Sequence, residues 1–184
     1  MNARYQAQFA KPLVNQLIAI LQRDQQAALD LVNAERPPGR ELKPFAAFHK
    51  EVVTVQNWPA LVLVAQETAF DANSDADLRT QTVRFLCALA ITGTDPEWLS
   101  EDAMDYLRAV DIVLTSAPLA DFYTPLPISH RTVPAGETTG LDPAVSKIHD
   151  LRVLRHDLGV LVGRRGGGMA RGPQIEFVIE MEER

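Results

Sequence analysis

Residues 79–114, RTQTVRFLCALAITGTDPEWLSEDAMDYLRAVDIVL, change their hydrophobic period from two to 3.6 within a few positions. In the first half Val83, Phe85, Cys87, Leu89 and Ile91 fall on one side at period two, which predicts a strand. In the second half Asp95 is placed to cap a helix and Pro96 takes the first helical position, where its missing N–H costs nothing. Glu97 suits the positive end of the helix dipole. Trp98, Leu99, Ala103, Tyr106, Leu107, Val110 and Leu114 form the stripe to be buried, and Asp102, Asp105, Arg108 and Asp111 face away. The second face of the strand begins polar, with Thr80, Thr82 and Arg84, and turns apolar at Leu86, Ala88 and Ala90. That end is predicted to be covered on both sides or to meet a partner chain.

The rest of the chain supplies the other layers. Residues 12–35 read as an N-terminal helix, with Val14, Leu17, Leu21, Ala28 and Val32 on one face and Pro12 in its first turn. It must stop before RPPGR, because Pro37 and Pro38 cannot continue it. Residues 36–50 read as a connecting loop. Val52, Val53 and Val55 allow a short strand, residues 61–65 form a firmer one, and DANSDAD (71–77) is a polar turn. Residues 117–145 carry five prolines between 118 and 143 and are predicted as one long irregular loop. Two strands close the chain. The second alternates cleanly, with Ile175, Phe177, Ile179 and Met181 inward and Glu176, Glu180 and Glu182 outward. The order helix, strand, strand, helix, long loop, strand, strand predicts a single α+β domain over residues 1–184 with about four strands.

Composition narrows the function classes. A chain of 184 residues with 46% hydrophobic and 23% charged residues has enough apolar content to fold as one domain, which excludes disorder throughout. The single cysteine, Cys87, rules out an intrachain disulfide, leaves a cysteine-based zinc site short of ligands, and fits a reducing compartment. The first residues lack a signal-peptide pattern, and no run approaches the ~20 apolar residues that span a bilayer. The net charge of −6 argues against general nucleic-acid affinity, so any phosphate contact needs a local basic patch.

One such patch is VGRRGGGMARG, residues 162–172, with five of the ten glycines and Arg164, Arg165 and Arg171. It is not a phosphate loop, since Met169 and Ala170 stand where Lys and Ser or Thr are needed and a strand follows instead of a helix. It reads as a flexible hairpin tip whose three arginines meet a partner or a neighbouring subunit, with RNA or DNA as the alternative. His49, His130, His149 and His156 are scattered. The last two stand seven apart in a strand, on opposite faces, which is unsuited to a shared metal. Asp71, Asp75 and Asp77 resemble half of a calcium loop but lack its glycine and closing glutamate, so a solvated turn is the simpler reading. Glu101, Asp102 and Asp105 read as a solvated helix face, Cys87 as a buried inert thiol, and Ser129–His130 lacks a nucleophile elbow. An enzymatic site in the long loop would have to use Asp121, Tyr123 and His130, among which nucleophile, base and orienting group cannot be assigned. No catalytic constellation, cofactor motif or metal site emerges.

The order of elements resembles the tail terminator (tail completion, minor tail) proteins of long-tailed bacteriophages. The likeness rests on the N-terminal helix and on WPALVLV leading to a turn. It continues with TVRFLCALAITG running into TDPEWLSEDAMDYLRAVDIVL, whose mid-helix tyrosine is Tyr106, and ends with PQIEFVIEME. The resemblance implies a small mixed or antiparallel sheet with two main helices on one face. It also implies a ring-forming, commonly hexameric, non-catalytic role in virion assembly. Such a ring caps the tail tube, offers the head a docking surface, contacts tail-tube and head–tail connector proteins, and lets DNA pass its lumen. The protein would be made in the host bacterial cytoplasm and reside in the virion.

Overall fold

The alternating residues 83–91 become the centre of a mixed sheet. The computed structural model describes residues 3–50, 57–71, 79–127, 139–164 and 167–183. Among these the elements are α1 (Ala3–Asn33), β1 (Ala47–His49), β2 (Ala60–Phe70), β3 (Arg79–Gly93), α2 (Pro96–Ser116), β4 (Ser146–Asp157), β5 (Leu161–Gly163), β6 (Met169–Arg171) and β7 (Gln174–Glu183). The α+β class is as the sequence implies, but the sheet has seven strands among the described residues instead of about four. β1 runs parallel to β2, and every other pairing is antiparallel. Residues 52–55, expected to form a strand, lie outside the described residues, while β1 falls within the segment expected to be loop.

One extra strand is β1, beside β2; the others arise because β3 is long enough to carry two partners on one edge. Its residues 79–88 pair with β7, and Ile91, Thr92 and Gly93 pair with β6. β4 pairs with β7 and β5 with β6, so residues 146–183 make one long hairpin, broken at the same level on both arms. The break lies at residues 158–160 on one arm and at Gly172–Pro173 on the other. Gly159 has φ +68°, and a Cβ there would stand 2.2 Å from the Gly172 carbonyl oxygen. Only glycine fits both that conformation and that approach.

The face of the sheet carrying Leu61, Leu63, Val83, Phe85, Cys87, Ile175, Phe177 and Ile179 is sealed under the two helices in a single core. Phe85 and Phe177, paired across β3 and β7, stack with ring centroids 5.1 Å apart. α2 begins as the sequence predicts, with the Asp95 carboxylate accepting from the N–H groups of Glu97 and Trp98. α1 departs from expectation at its start. It runs through Pro12, which therefore sits inside the helix. The proline forfeits one backbone hydrogen bond but keeps helical φ. From Leu13 to Leu21 nearly every side chain is buried, where a one-sided stripe was expected. Gln16, fully buried among them, donates from Nε2 to the carbonyls of Asp121 (2.7 Å) and Thr124 (2.9 Å).

Those two carbonyls belong to a segment expected to be irregular throughout. Instead Leu119–Tyr123 forms a 3-10 turn that drives Phe122 into the core, and Leu126 and Leu141 are buried beside it. The Leu141 N–H donates to the Phe122 carbonyl at 2.9 Å, and the Ile148 N–H donates to the Tyr123 hydroxyl at 2.6 Å. Prolines set the turns, but three apolar anchors fix the path. Residues 128–138 lie outside the described residues.

Candidate functional site

Two features stand out from the core, and both lie at the end of the sheet where β2 begins and β3 ends. The first is the outer hairpin, β5 and β6. Its turn is closed by the Arg164 N–H donating to the Gly168 carbonyl at 2.7 Å, with Gly167 at φ +88°. β5 is an edge strand, paired among the described residues with β6 alone. Leu158, Val160, Leu161 and Val162 are all exposed on it or just before it, Val160 by 78%. Edge strands usually carry charge, proline or a cover to block pairing with other chains, and these four side chains provide none.

The second feature is a cleft of about 370 Å³, within the size range of ligand pockets. It is lined by Arg36 and residues 39–43 of the loop after α1, and by Trp58, Pro59 and residues 91–95. Trp98, Asp102 and Tyr106 of α2 complete the lining. The loop is held at every turn. Asn33 accepts from the Leu42 N–H (2.7 Å) and donates to its carbonyl (3.1 Å). The Tyr106 hydroxyl donates to the Lys43 carbonyl (2.8 Å) and accepts from the Lys43 N–H (3.2 Å). Burial pushes that hydroxyl up to about 12, against the opposing effect of its bond to Lys43.

Beneath the loop Arg36, its side chain only 6% exposed, reaches the carboxylates of both Asp102 and Asp105 and donates from Nε to the Arg40 carbonyl at 2.6 Å. Burial works against the Arg36 charge, but the two carboxylates outweigh it and raise the guanidinium above its ordinary value. This corrects the expectation of a solvated acidic face. The loop folds back onto α2, and Asp102 and Asp105 are its anchor.

The loop places Arg40 over Trp98, with the guanidinium carbon 3.7 Å from the ring centroid. Arg164, from the outer hairpin, has its guanidinium carbon 5.0 Å from the Trp58 ring centroid, and it does not itself line the cleft. The chain has two tryptophans, and each carries an arginine on its face. The acidic side chains lining the cleft are committed elsewhere. Asp95 caps α2, Asp102 holds Arg36, and Glu41 accepts from the Gly39 N–H, which lowers its carboxyl below the usual range. Arg40, Lys43 and Arg164 make no ion pair among the described residues.

The other sequence candidates are distributed. Arg171 is turned inward, donating to the Leu158 carbonyl (2.7 Å), to the Gly159 carbonyl (3.4 Å) and to Ser100 Oγ, so it braces the outer hairpin against α2. Arg165 lies outside the described residues, as do Ser129, His130, Asp75 and Asp77. Asp121 pairs with Arg23, and Tyr123 supports β4. His149 faces Glu182 at 3.1 Å and His156 faces Asp111 at 3.9 Å, on separate parts of the sheet. His49 is half-buried in β1, and Glu101 is exposed. Cys87 is fully buried, and burial pushes its thiol well above the ordinary range. Among the described residues no three potential ligands gather for a metal, and no helix is long and apolar enough to cross a membrane.

Sequence reasoning found Arg164 but missed Arg40, Lys43 and both tryptophans as parts of one place. The available signal was the stiff RPPGR loop. Its partners lie far away in sequence. The chain matches no protein-family model and no curated protein.

Proposed function

We propose that this protein is a structural, ring-forming assembly protein of the tail terminator kind. It caps the tail tube of a long-tailed phage, gives the head a docking surface and performs no catalysis. Its partners are copies of itself, most simply six, with tail-tube and head–tail connector proteins above and below and DNA passing the lumen. It is made in the host bacterial cytoplasm and resides in the neck of the virion.

The observation that carries the reading is the outer hairpin. An edge strand with Leu158, Val160, Leu161 and Val162 exposed is ready to pair with, and bury apolar surface against, another chain. An arm of this kind joins unlike surfaces of successive subunits, and such contacts close into rings when the rotation permits.

Native mass spectrometry and negative-stain microscopy, with and without tail-tube protein, test the reading. Rings are expected, and they disperse when Val160→Lys and Val162→Lys are combined. A strict monomer under all these conditions, with tail tubes present, overturns it.

A further inference from the structure

We propose that the free edge of β5 adds as a strand to the far end of β2, residues 67–70, in the next copy of this chain, with Arg164 opposite Glu67, Val162 opposite Ala69 and Leu161 opposite Phe70. The inference rests on the self-association reading for its choice of occupant, and it assigns both sides of one contact and their register.

The sheet offers β5 few edges. β4 is an outer strand but is defended. It is bulged between Ile148 and Asp150 and again between Val153 and Arg155, and it exposes Lys147, Arg152 and Arg155. β1 covers β2 only from Ala60 to Val62. Beyond that point β2 has no partner on its outer side among the described residues, and Gln66, Glu67, Ala69 and Phe70 are exposed. The strands β2, β3, β6 and β5 alternate in direction. In a neighbour that continues the sheet with its helices on the same face, β2 therefore arrives antiparallel to β5, the more stable pairing.

The backbone groups of the two edges match. The Arg164 N–H donates to the Gly168 carbonyl, so even-numbered residues turn to β6 and Leu161 and Gly163 turn their N–H and C=O groups to the free edge. The Asp71 N–H donates to the Thr80 carbonyl, so odd-numbered residues at this end of β2 turn to β3 and Thr68 and Phe70 turn outward. Leu161 with Phe70 and Gly163 with Thr68 then form hydrogen-bonded pairs.

The side chains match in the same register. Val162 stands in line with Ala170 and Thr92 on the helix-free face, and Arg164 follows two residues on. Ala69 and Glu67, opposite Thr82 and Arg84, lie on that face too. Val162–Ala69 and Arg164–Glu67 become the non-hydrogen-bonded pairs, in which side chains come closest and opposite charges stabilise. Glu67 is 63% exposed with Arg84 3.9 Å away, and Arg164 makes no ion pair among the described residues. Leu161 and Phe70, 39% and 37% exposed, meet on the helix face and cover each other. A slip of one residue reverses every face. Across β3, Leu161 is level with Ile91 and Phe70 with Gln81. Ten residues of strand, ~33 Å, separate them, so one chain cannot make the contact with itself. The contact joins unlike surfaces, as a closed ring requires.

The test is disulfide trapping in the full chain, read on non-reducing gels. Val162 and Ala69 are both exposed, and the native Cys87 is fully buried. Val162→Cys with Ala69→Cys in one chain gives a covalent ladder on oxidation, because a non-hydrogen-bonded pair brings the two Cβ atoms within disulfide reach. Val162→Cys with Thr68→Cys, on opposite faces, gives none. Arg164→Glu weakens self-association about fivefold, and Glu67→Arg in the same chain restores it. Rings seen by native mass spectrometry without the Val162–Ala69 cross-link overturn the contact and leave the ring reading standing. A ladder without closed rings supports the contact and counts against the ring. Cross-linked dimers from Val162→Cys alone overturn the contact, because β5 then pairs with β5. Absence of the charge-swap rescue overturns it as well, and a chain that neither cross-links nor associates overturns both ideas.

Discussion

Replacing Arg36 by methionine isolates the anchor of the loop that forms the cleft. The substitution keeps the aliphatic stem and removes the charge that Asp102 and Asp105 share. Breaking a fully buried ion pair by removing one partner costs about 3–5 kcal/mol. Here the arginine is 6% exposed but the two carboxylates keep 26% and 28% of their exposure, so water recovers part of that loss. A cost of about 2–3 kcal/mol follows. For a chain of this length that corresponds to a fall in Tm of roughly 4–12 °C. Urea unfolding followed by circular dichroism measures the global change, and tryptophan emission reports the loop. In a cycle with Asp102→Asn and Asp105→Asn, the triple variant is less destabilised than the sum of the separate effects, by about 1 kcal/mol or more. A loss below about 0.5 kcal/mol for Arg36→Met, or strict additivity, refutes the claim that this cluster anchors the loop.

Other outcomes follow from the same geometry. Tyr106 has its hydroxyl raised from the ordinary 10 to about 12, so its contribution to stability is complete below pH 10 and is lost as pH climbs toward 12. Urea unfolding at pH 9, 10 and 11 shows that slope, and Tyr106→Phe removes it while costing about 1 kcal/mol at neutral pH. Gly159→Ala is expected to cost more than Gly39→Ala. Both glycines have positive φ, which by itself costs about 1–2 kcal/mol in alanine, but only Gly159 also meets a backbone oxygen. Equal losses for the two in thermal unfolding show that the close approach to Gly172 does not matter.

The sequence made the local elements legible and left the long-range ones hidden. Asp95, Pro96 and Glu97 marked the start of α2 because capping is decided within a few residues. The alternation of 83–91 and 175–181 marked the sheet's buried face because it is set by the pleat. Pro12 misled because burial of residues 13–21 on all sides overrides the preference of proline for a helix start. The 3-10 turn at 119–123 was hidden because Phe122 is held by Gln16, more than a hundred residues away, through its neighbours' carbonyls. The cleft was hidden for the same reason. Arg40 with Trp98, and Arg164 with Trp58, become neighbours only once β2, β3 and the outer hairpin are in place. Asp102 and Asp105 looked like solvated charge because nothing near them in sequence reveals Arg36.

The matched breaks at 158–160 and 172–173 make the outer hairpin a replaceable cassette. Its rungs are separate from those joining β4 to β7, so residues added in pairs beyond the break lengthen the arm by ~3.3 Å per residue without shifting the register of the inner ladder. Its footing on the body is the short pairing of β6 with Ile91, Thr92 and Gly93, and the inward guanidinium of Arg171. Reach and surface chemistry at the tip can therefore drift between related proteins while the core beneath keeps one design.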